Sequence, residues 1–332
     1  METRKPVIVI TRKLLSETEM YLKRHFDTRF NISDNPMSEN DIINSTEGAD
    51  ILVPTVTDSI NARLIRRLPE TVKLIANFGV GVNHIDLAAA FDRNILVTNT
   101  PGVLTDDTAD LTVCLLLAAP RRLTEGERLL RSGEWRGWAP TSMIGHRFSG
   151  KKLGIIGMGR IGQAVAHRVQ NFGIEVHYHN RNRVDFTVET KLRAQYWKGL
   201  NDMLSRMDYV SVNCPYTQET HHLLDEARLR LLQPHAFLIN TARGEIVDEK
   251  VLAKLLITGV IAGAGLDVYE HEPRVENELL KLENVVLAPH LGSATFQGRL
   301  AMGDKVIENI QSFLNHQNPP DRVCEALSKE ES

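Results

Sequence analysis

The sequence predicts an α/β chain built from two doubly wound parallel-sheet domains. Three observations carry that expectation. Short β-rich apolar runs alternate with polar, helically periodic segments from the first residues onward, a second series of such runs starts near residue 152, and 332 residues is about twice a usual single-domain length.

The first series is PVIVIT (6–11), ADILVP (49–54), VKLIANF (72–78) and NILVTN (94–99), each followed by polar periodic sequence. A long helix is then expected from about Asp106 to Arg131, where Leu111, Leu115, Ala118 and Leu123 recur at helical spacing, with Pro120 kinking or dividing it. The second series is KLGIIG (152–157), EVHYH (175–179), YVSVN (209–213), AFLIN (236–240), AGLDV (264–268) and VVLAP (285–289), enough for one complete six-stranded unit. The segment 297–316 reads as an amphipathic helix closed by Asn318-Pro319-Pro320. With both sheets already accounted for, this last helix is expected to return to the first domain and make it discontinuous: residues 1–103 with 294–332, against 104–293.

Composition narrows the function classes. Apolar residues make up 42% and charged residues 24%, proportions of a soluble globular protein that exclude a disordered or fibrous chain. The formal charge is -3 and no face-length run of Lys or Arg occurs, so neither nucleic acid nor a membrane is expected as a partner. Cys114, Cys214 and Cys324 are far apart and odd in number, which suits reduced, mostly buried thiols and a cytoplasmic location. The apolar run near the N-terminus, Val7 to Ile10, is too short for a signal peptide.

The strand KLGIIG leads directly into Gly157-Met158-Gly159-Arg160-Ile161-Gly162, followed by helical apolar spacing through Val165 and Val169. Between a strand and a helix, this pattern points to a dinucleotide. Gly157 permits a tight turn, Gly159 lets the backbone approach a pyrophosphate, Gly162 allows close packing, and unpaired N–H groups at the helix start face the anion. Arg160 can reach the phosphates or face solvent. The next strand ends in Tyr178-His179-Asn180-Arg181-Asn182-Arg183, with no carboxylate to repel a 2'-phosphate and two guanidiniums to pair with one, so NADPH is expected over NADH. The competing possibility is that Arg181 and Arg183 are solvated loop charges and Asp185 binds the ribose of NAD.

Polar residues just past strand ends mark where ligands bind in such sheets. Arg243 follows AFLIN, Glu272 lies beyond AGLDV, and His290 ends the last run. Hydride reduction of a 2-keto acid needs a cation to hold the carboxylate and polarise the carbonyl, an acid to protonate the alkoxide, and a partner that keeps the acid charged. Arg243 fits the first need as a rigid fork. His290 fits the second because imidazole titrates near neutral pH, and Glu272 fits the third by favouring the charged ring. Reduction should then fall as pH rises through the titration of His290. Taken singly, each is as readily a salt-bridge, helix-end or core residue; their shared position at one sheet edge favours the joint reading.

At this point the chain resembles the D-2-hydroxyacid dehydrogenase family, nearest its NADP-preferring glyoxylate/hydroxypyruvate reductases, through NFGVGVNHID, GIIGMGRIGQ, NTARGEIVDE, AGLDVYEHEP and APHLGSAT in that order along almost the whole length. The resemblance implies a Rossmann-type cofactor domain plus a flavodoxin-like, discontinuous substrate domain with a cleft that closes on substrate. Catalysis would rest on Arg243, Glu272 and His290, with Asp267 at the nicotinamide end and the amides of Val80 and Gly81 on the substrate carboxylate. Around the cofactor it would place Thr108, Cys214, Pro215, Thr220, Thr241, Ala242 and Gly292, and it implies a homodimer in which Trp138 reaches the neighbouring site. The residues themselves agree in part: glycines in Phe78-Gly79-Val80-Gly81 free backbone N–H groups for an anion nest, although an ordinary loop has the same composition, and Trp135 and Trp138 suit an interface or a core. Asn180-Arg181 departs from the acidic residue many relatives carry, which puts NAD in doubt.

Three other readings compete. A phosphoglycerate dehydrogenase would have a regulatory domain after His316, and a formate dehydrogenase would not suit Asn180-Arg181. A non-catalytic dinucleotide sensor of the same fold would need docking extensions. A metal hydrolase would build on His177 and His179, but no HExxH or Cys/His cluster accompanies them, so no metal is expected.

Overall fold

A computed structural model of the chain describes residues 4–323. It divides into two compact units, one formed by the chain up to Leu104 together with Thr295 onward, the other by Thr105–Ala294.

The first unit runs β1 (Val7–Ile10), α1 (Ser16–His25), β2 (Asp27–Phe30), α2 (Glu39–Ser45), β3 (Ile51–Val53), α3 (Ala62–Arg67), β4 (Leu74–Ala76), α4 (Leu87–Asp92) and β5 (Leu96–Thr98). The strands form one parallel sheet in the order β2-β1-β3-β4-β5. In β1, β3 and β4 every residue is buried, which explains why they read as unbroken apolar runs: helices cover both faces of a parallel sheet. One cluster, including Val7, Leu52, Leu64 and Ile75, fills one face. The other joins Ile8, Ile10, Ile51 and Leu74 to Met302, Val306, Ile307 and Ile310 of a late helix described below. The edge strand β2 (DTRF) was not expected; its alternating exposure and two charges carry no apolar run.

The second unit begins with α5 (Thr105–Ala118) and α6 (Leu123–Arg131), so the long expected helix is divided around Pro120. It continues with β6 (Lys152–Ile156), α7 (Arg160–Val169), β7 (Glu175–His179), α8 (Phe186–Leu192), β8 (Ala194–Tyr196), α9 (Leu200–Leu204), β9 (Tyr209–Val212), α10 (Glu226–Leu229), β10 (Phe237–Asn240), α11 (Glu249–Ile257), β11 (Gly263–Leu266) and β12 (Val285–Leu287). The sheet is parallel throughout and has seven strands, β12-β11-β10-β9-β6-β7-β8, against the six expected. The added strand β8 is short, half-exposed and at the edge, so burial left no mark on its sequence. Strand order reverses between β6 and β9, the place where such sheets open a crevice at their carboxyl ends. The helix α12 (Phe296–Leu314) completes the first unit.

Among the described residues no helix is long and apolar enough to cross a membrane. Cys114 is exposed and Cys214 half-buried, which corrects the expectation of mostly buried thiols; both are unpaired. Cys324 lies outside the described residues.

Candidate active site

The glycine loop joins β6 to α7 as its spacing requires. Gly157 has φ +99°, and a Cβ there would sit 2.5 Å from the Cys214 nitrogen; one on Gly162 would sit 2.1 Å from the Gly157 carbonyl oxygen. Neither position can hold a side chain. Gly159 differs, because a Cβ there meets no atom within 4 Å. Its bare side faces open space, where a pyrophosphate fits against the amides that start α7. The Met158 N–H donates to Asn180 Oδ1 at 2.7 Å, tying the loop to the end of β7. That bond leaves the Asn180 amide nitrogen as the polar end turned away from the loop.

The two arginines beyond Asn180 are not equivalent. Arg183 donates from Nε and Nη2 to the two oxygens of Glu189, at 2.8 and 2.7 Å. Tyr178 also donates to Glu189. These hydrogen bonds hold the Glu189 carboxyl down at about 2, Arg183 first and Tyr178 second, while burial pushes the Tyr178 hydroxyl up to about 12. The pair of free guanidiniums expected from sequence is therefore reduced: Arg183 is held by an internal carboxylate, and Arg181 is exposed. Asp185 precedes α8 and makes no side-chain cap.

Further along the carboxyl edge lie Thr241, Ala242 and Arg243 beyond β10, Asp267 and Glu272 beyond β11, and His290 beyond β12. These three strands are neighbours, so their loops are too. Arg243 is half-buried and donates from Nη1 to the Ala242 carbonyl at 2.6 Å. Burial draws its pKa below the usual guanidinium value, opposed by the carboxylates of Glu245 and Glu272. The next residue, Gly244, explains the closeness of the two loops. A Cβ there would lie 1.9 Å from the Tyr269 carbonyl carbon, so the Arg243 loop abuts the chain leading to Glu272.

The Glu272 carboxylate is engaged at both oxygens: Oε1 accepts from the Tyr269 N–H at 3.0 Å and Oε2 faces His290 Nδ1 at 2.7 Å. Burial pushes this carboxyl up, but the hydrogen bond and charge of His290, the Tyr269 N–H and Arg243 together bring it below the ordinary carboxylate value. With Nδ1 on Glu272, the Nε2 edge of His290 points the other way. His290 itself sits at φ 55°, left-handed backbone uncommon for a non-glycine residue, and here that turn is held. The holder is Asp267, whose carbonyl takes the His290 N–H at 2.9 Å and whose carboxylate takes the N–H groups of Leu291 at 2.6 Å and Gly292 at 2.9 Å. Burial outweighs these donors and pushes the Asp267 carboxyl up. Thr108 Oγ1 donates to the Gly292 carbonyl at 3.0 Å, and Thr112 pairs with Thr241 at 2.7 Å, so α5 is bound to the same edge.

On the adenosine side expected from sequence, Cys214 follows β9, burial pushes its thiol up to about 11, and Thr220 donates to the Pro215 carbonyl at 2.9 Å. In the first unit, buried Asn77 donates to the carbonyls of Gly79 and Gly81, both at 3.0 Å, which turns those oxygens inward. Its Oδ1 lies 3.1 Å from His84 Nε2. Asn77, Gly244 and the half-buried His222, which meets Glu270 at 2.8 Å, were not singled out from sequence. Trp138 is 82% exposed and Trp135 54%, so neither is a core residue of the single chain. No group of three or more potential metal ligands gathers among the described residues.

Fold and glycine loop together define a dinucleotide-binding α/β protein. Residues 113–292 match the family described as D-isomer specific 2-hydroxyacid dehydrogenase, NAD binding domain. The glyoxylate reductase of Thermococcus litoralis is 42% identical over 323 residues, 96% of this chain and 97% of that one. That of Korarchaeum cryptofilum is 42% identical over 328 residues, 98% of each. Among solved structures, the NADPH-dependent glyoxylate/hydroxypyruvate reductase of Sinorhizobium meliloti in complex with NADP and malonate matches at TM-score 0.86 and 33% identity, covering 96% of this chain and 97% of that one. The chain belongs to the D-isomer specific 2-hydroxyacid dehydrogenase family.

Proposed function

We propose that the chain reduces a small 2-keto acid of the glyoxylate or hydroxypyruvate type to the 2-hydroxy acid, with NADPH preferred and NAD(H) a weaker substitute. The observation that carries this reading is the His290–Glu272 pair, 2.7 Å apart, on strand ends next to that of the half-buried Arg243. When bound, the nicotinamide cofactor supplies the hydride. Arg243 orients the substrate carboxylate and stabilises charge growing on the carbonyl oxygen. His290 Nε2 delivers the proton to that oxygen, while Glu272 fixes the ring through its contact with Nδ1. Within the first unit, Asn77 draws in the carbonyls of Gly79 and Gly81, which suits the amides of Val80 and Gly81 to an anion nest.

NADPH is favoured by the exposed Arg181 and by Asn180, whose amide N–H2 is a phosphate donor where a carboxylate would be a ribose acceptor. The NADP-bound reductase of Sinorhizobium meliloti supports the same choice. A homodimer is part of this reading, and the exposure of Trp138 supports a role for it beyond its own chain.

Initial rates with several keto acids against NADPH and NADH, on wild type and His290→Ala, test the proposal. The variant should keep its NADPH affinity and lose about 10²–10⁴-fold in turnover. Unchanged turnover removes His290 from the mechanism, and equal use of both nucleotides overturns the phosphate argument.

A further inference from the structure

Glu249 opens α11 and is buried, 5% exposed. No cation pairs with it among the described residues. Its oxygens instead accept two backbone N–H groups, Oε2 from Glu270 and Oε1 from Glu276, both at 2.9 Å. Between those amides the chain makes the excursion 271–275, which carries Glu272. The excursion is closed internally by the Arg274 N–H donating to the His271 carbonyl at 2.9 Å, and its entry is braced by His222 on the Glu270 side chain at 2.8 Å.

A carboxylate suits this place for two physical reasons. It lies at the first turn of a helix, where the backbone dipole favours an anion. It also accepts with both atoms at once, through charge-assisted bonds roughly twice as strong as neutral ones. A glutamine here would turn an N–H2 group against one of the two N–H donors. The same excursion presents Glu272 with one oxygen on the Tyr269 N–H and the other on His290. A shift of the loop by a fraction of an ångström would therefore be felt at the 2.7 Å contact.

We propose that Glu249 is a positioning residue for the reaction: by gripping both ends of the 271–275 excursion it aims the Glu272 carboxylate at His290. It touches neither substrate nor cofactor and acts through Glu272, so the inference rests on the roles given above to Glu272 and His290.

Four full-length proteins test it: wild type, Glu249→Gln, Glu272→Gln and the double variant, assayed with glyoxylate and NADPH across pH. Glu249→Gln should lower kcat about 10-fold with the KM for NADPH within about twofold of wild type. Its acidic limb should move to higher pH, because a misaimed Glu272 loses the His290 contact that holds its carboxyl down. In the Glu272→Gln background the same substitution should cost less than about twofold, since the residue it acts through is already gone. Losses that multiply, with the acidic limb in place, overturn the proposal and leave Glu272 in its role. A Glu272→Gln enzyme with wild-type rates is a different result: it removes the reading of the site, and the inference with it. If Glu249→Gln does not fold, Glu249→Asp, which reaches only one of the two amides, should show the same pH movement with about a threefold loss of kcat.

Discussion

The backbone N–H of His290 donates to the carbonyl oxygen of Asp267 at 2.9 Å, across the gap between two neighbouring strand ends. The Asp267 carboxylate then gathers the next two amides, so the imidazole hangs on a turn that one aspartate has built. Asparagine at that position keeps one acceptor and sets an N–H2 group against an N–H. Asp267→Asn should therefore lower turnover about 10-fold or more by loosening His290. Wild-type turnover in this variant would mean the turn holds itself.

The three glycines of the nucleotide loop separate packing from binding. Gly162→Ala places a methyl group 2.1 Å from the Gly157 oxygen and should cost about 1–3 kcal/mol of stability or more, visible in the thermal midpoint. Gly159→Ala meets no chain atom. It should cost at most about 1 kcal/mol yet raise the KM for NADPH about 10-fold or more, since the methyl occupies the approach of the pyrophosphate. Equal damage to stability by both would sink the distinction.

Arg181 and Arg183 should differ in kind. With Arg183 committed to Glu189, Arg181→Ala is expected to raise the KM for NADPH about 10-fold and leave that for NADH nearly unchanged. Arg183→Ala should act mainly on the thermal midpoint. The reverse pattern, measured on the two single variants, would return Arg183 to the cofactor.

Glu272 and Asp267 should move stability in opposite directions with pH. Glu272 is held below its usual value of 4.5, so its contribution is complete above that pH and is lost as pH falls through the lower folded value. Asp267 is pushed above 3.8, so the folded state binds its proton more tightly and stability declines as pH rises from 3.8 through the folded value. The thermal midpoint of wild type minus Glu272→Gln should shrink on acidification, while that of wild type minus Asp267→Asn should grow. Parallel trends would contradict one of the two environments.

Much of this architecture was legible in the linear order of residues. Strands such as VIVI and the LGII stretch of β6 announce themselves because burial on both faces leaves no room for a polar residue, and the glycine loop because two of its positions admit no Cβ. Two edge strands were not legible: β2 and β8 are partly solvated along their length, so their sequences are free to look like loops, whereas the edge strands β5 and β12 are mostly buried and read as apolar runs. Nor was the fate of Arg183, because its partner Glu189 sits on a helix whose orientation no local pattern specifies.

From the sequence alone follow two parallel sheets, a nucleotide turn, and an arginine, a carboxylate and a histidine each just past a strand, because periodicity and glycine sterics are local properties of a chain. Tertiary structure alone decided which polar atoms meet: that His290 turns Nδ1 to Glu272, that Asp267 spends its carboxylate on two amides, and that Glu249 grips the loop in between. Hydrogen bonds are directional and reach about 3 Å, so they depend on how strands are ordered side by side, and that order is set by the packing of the whole sheet.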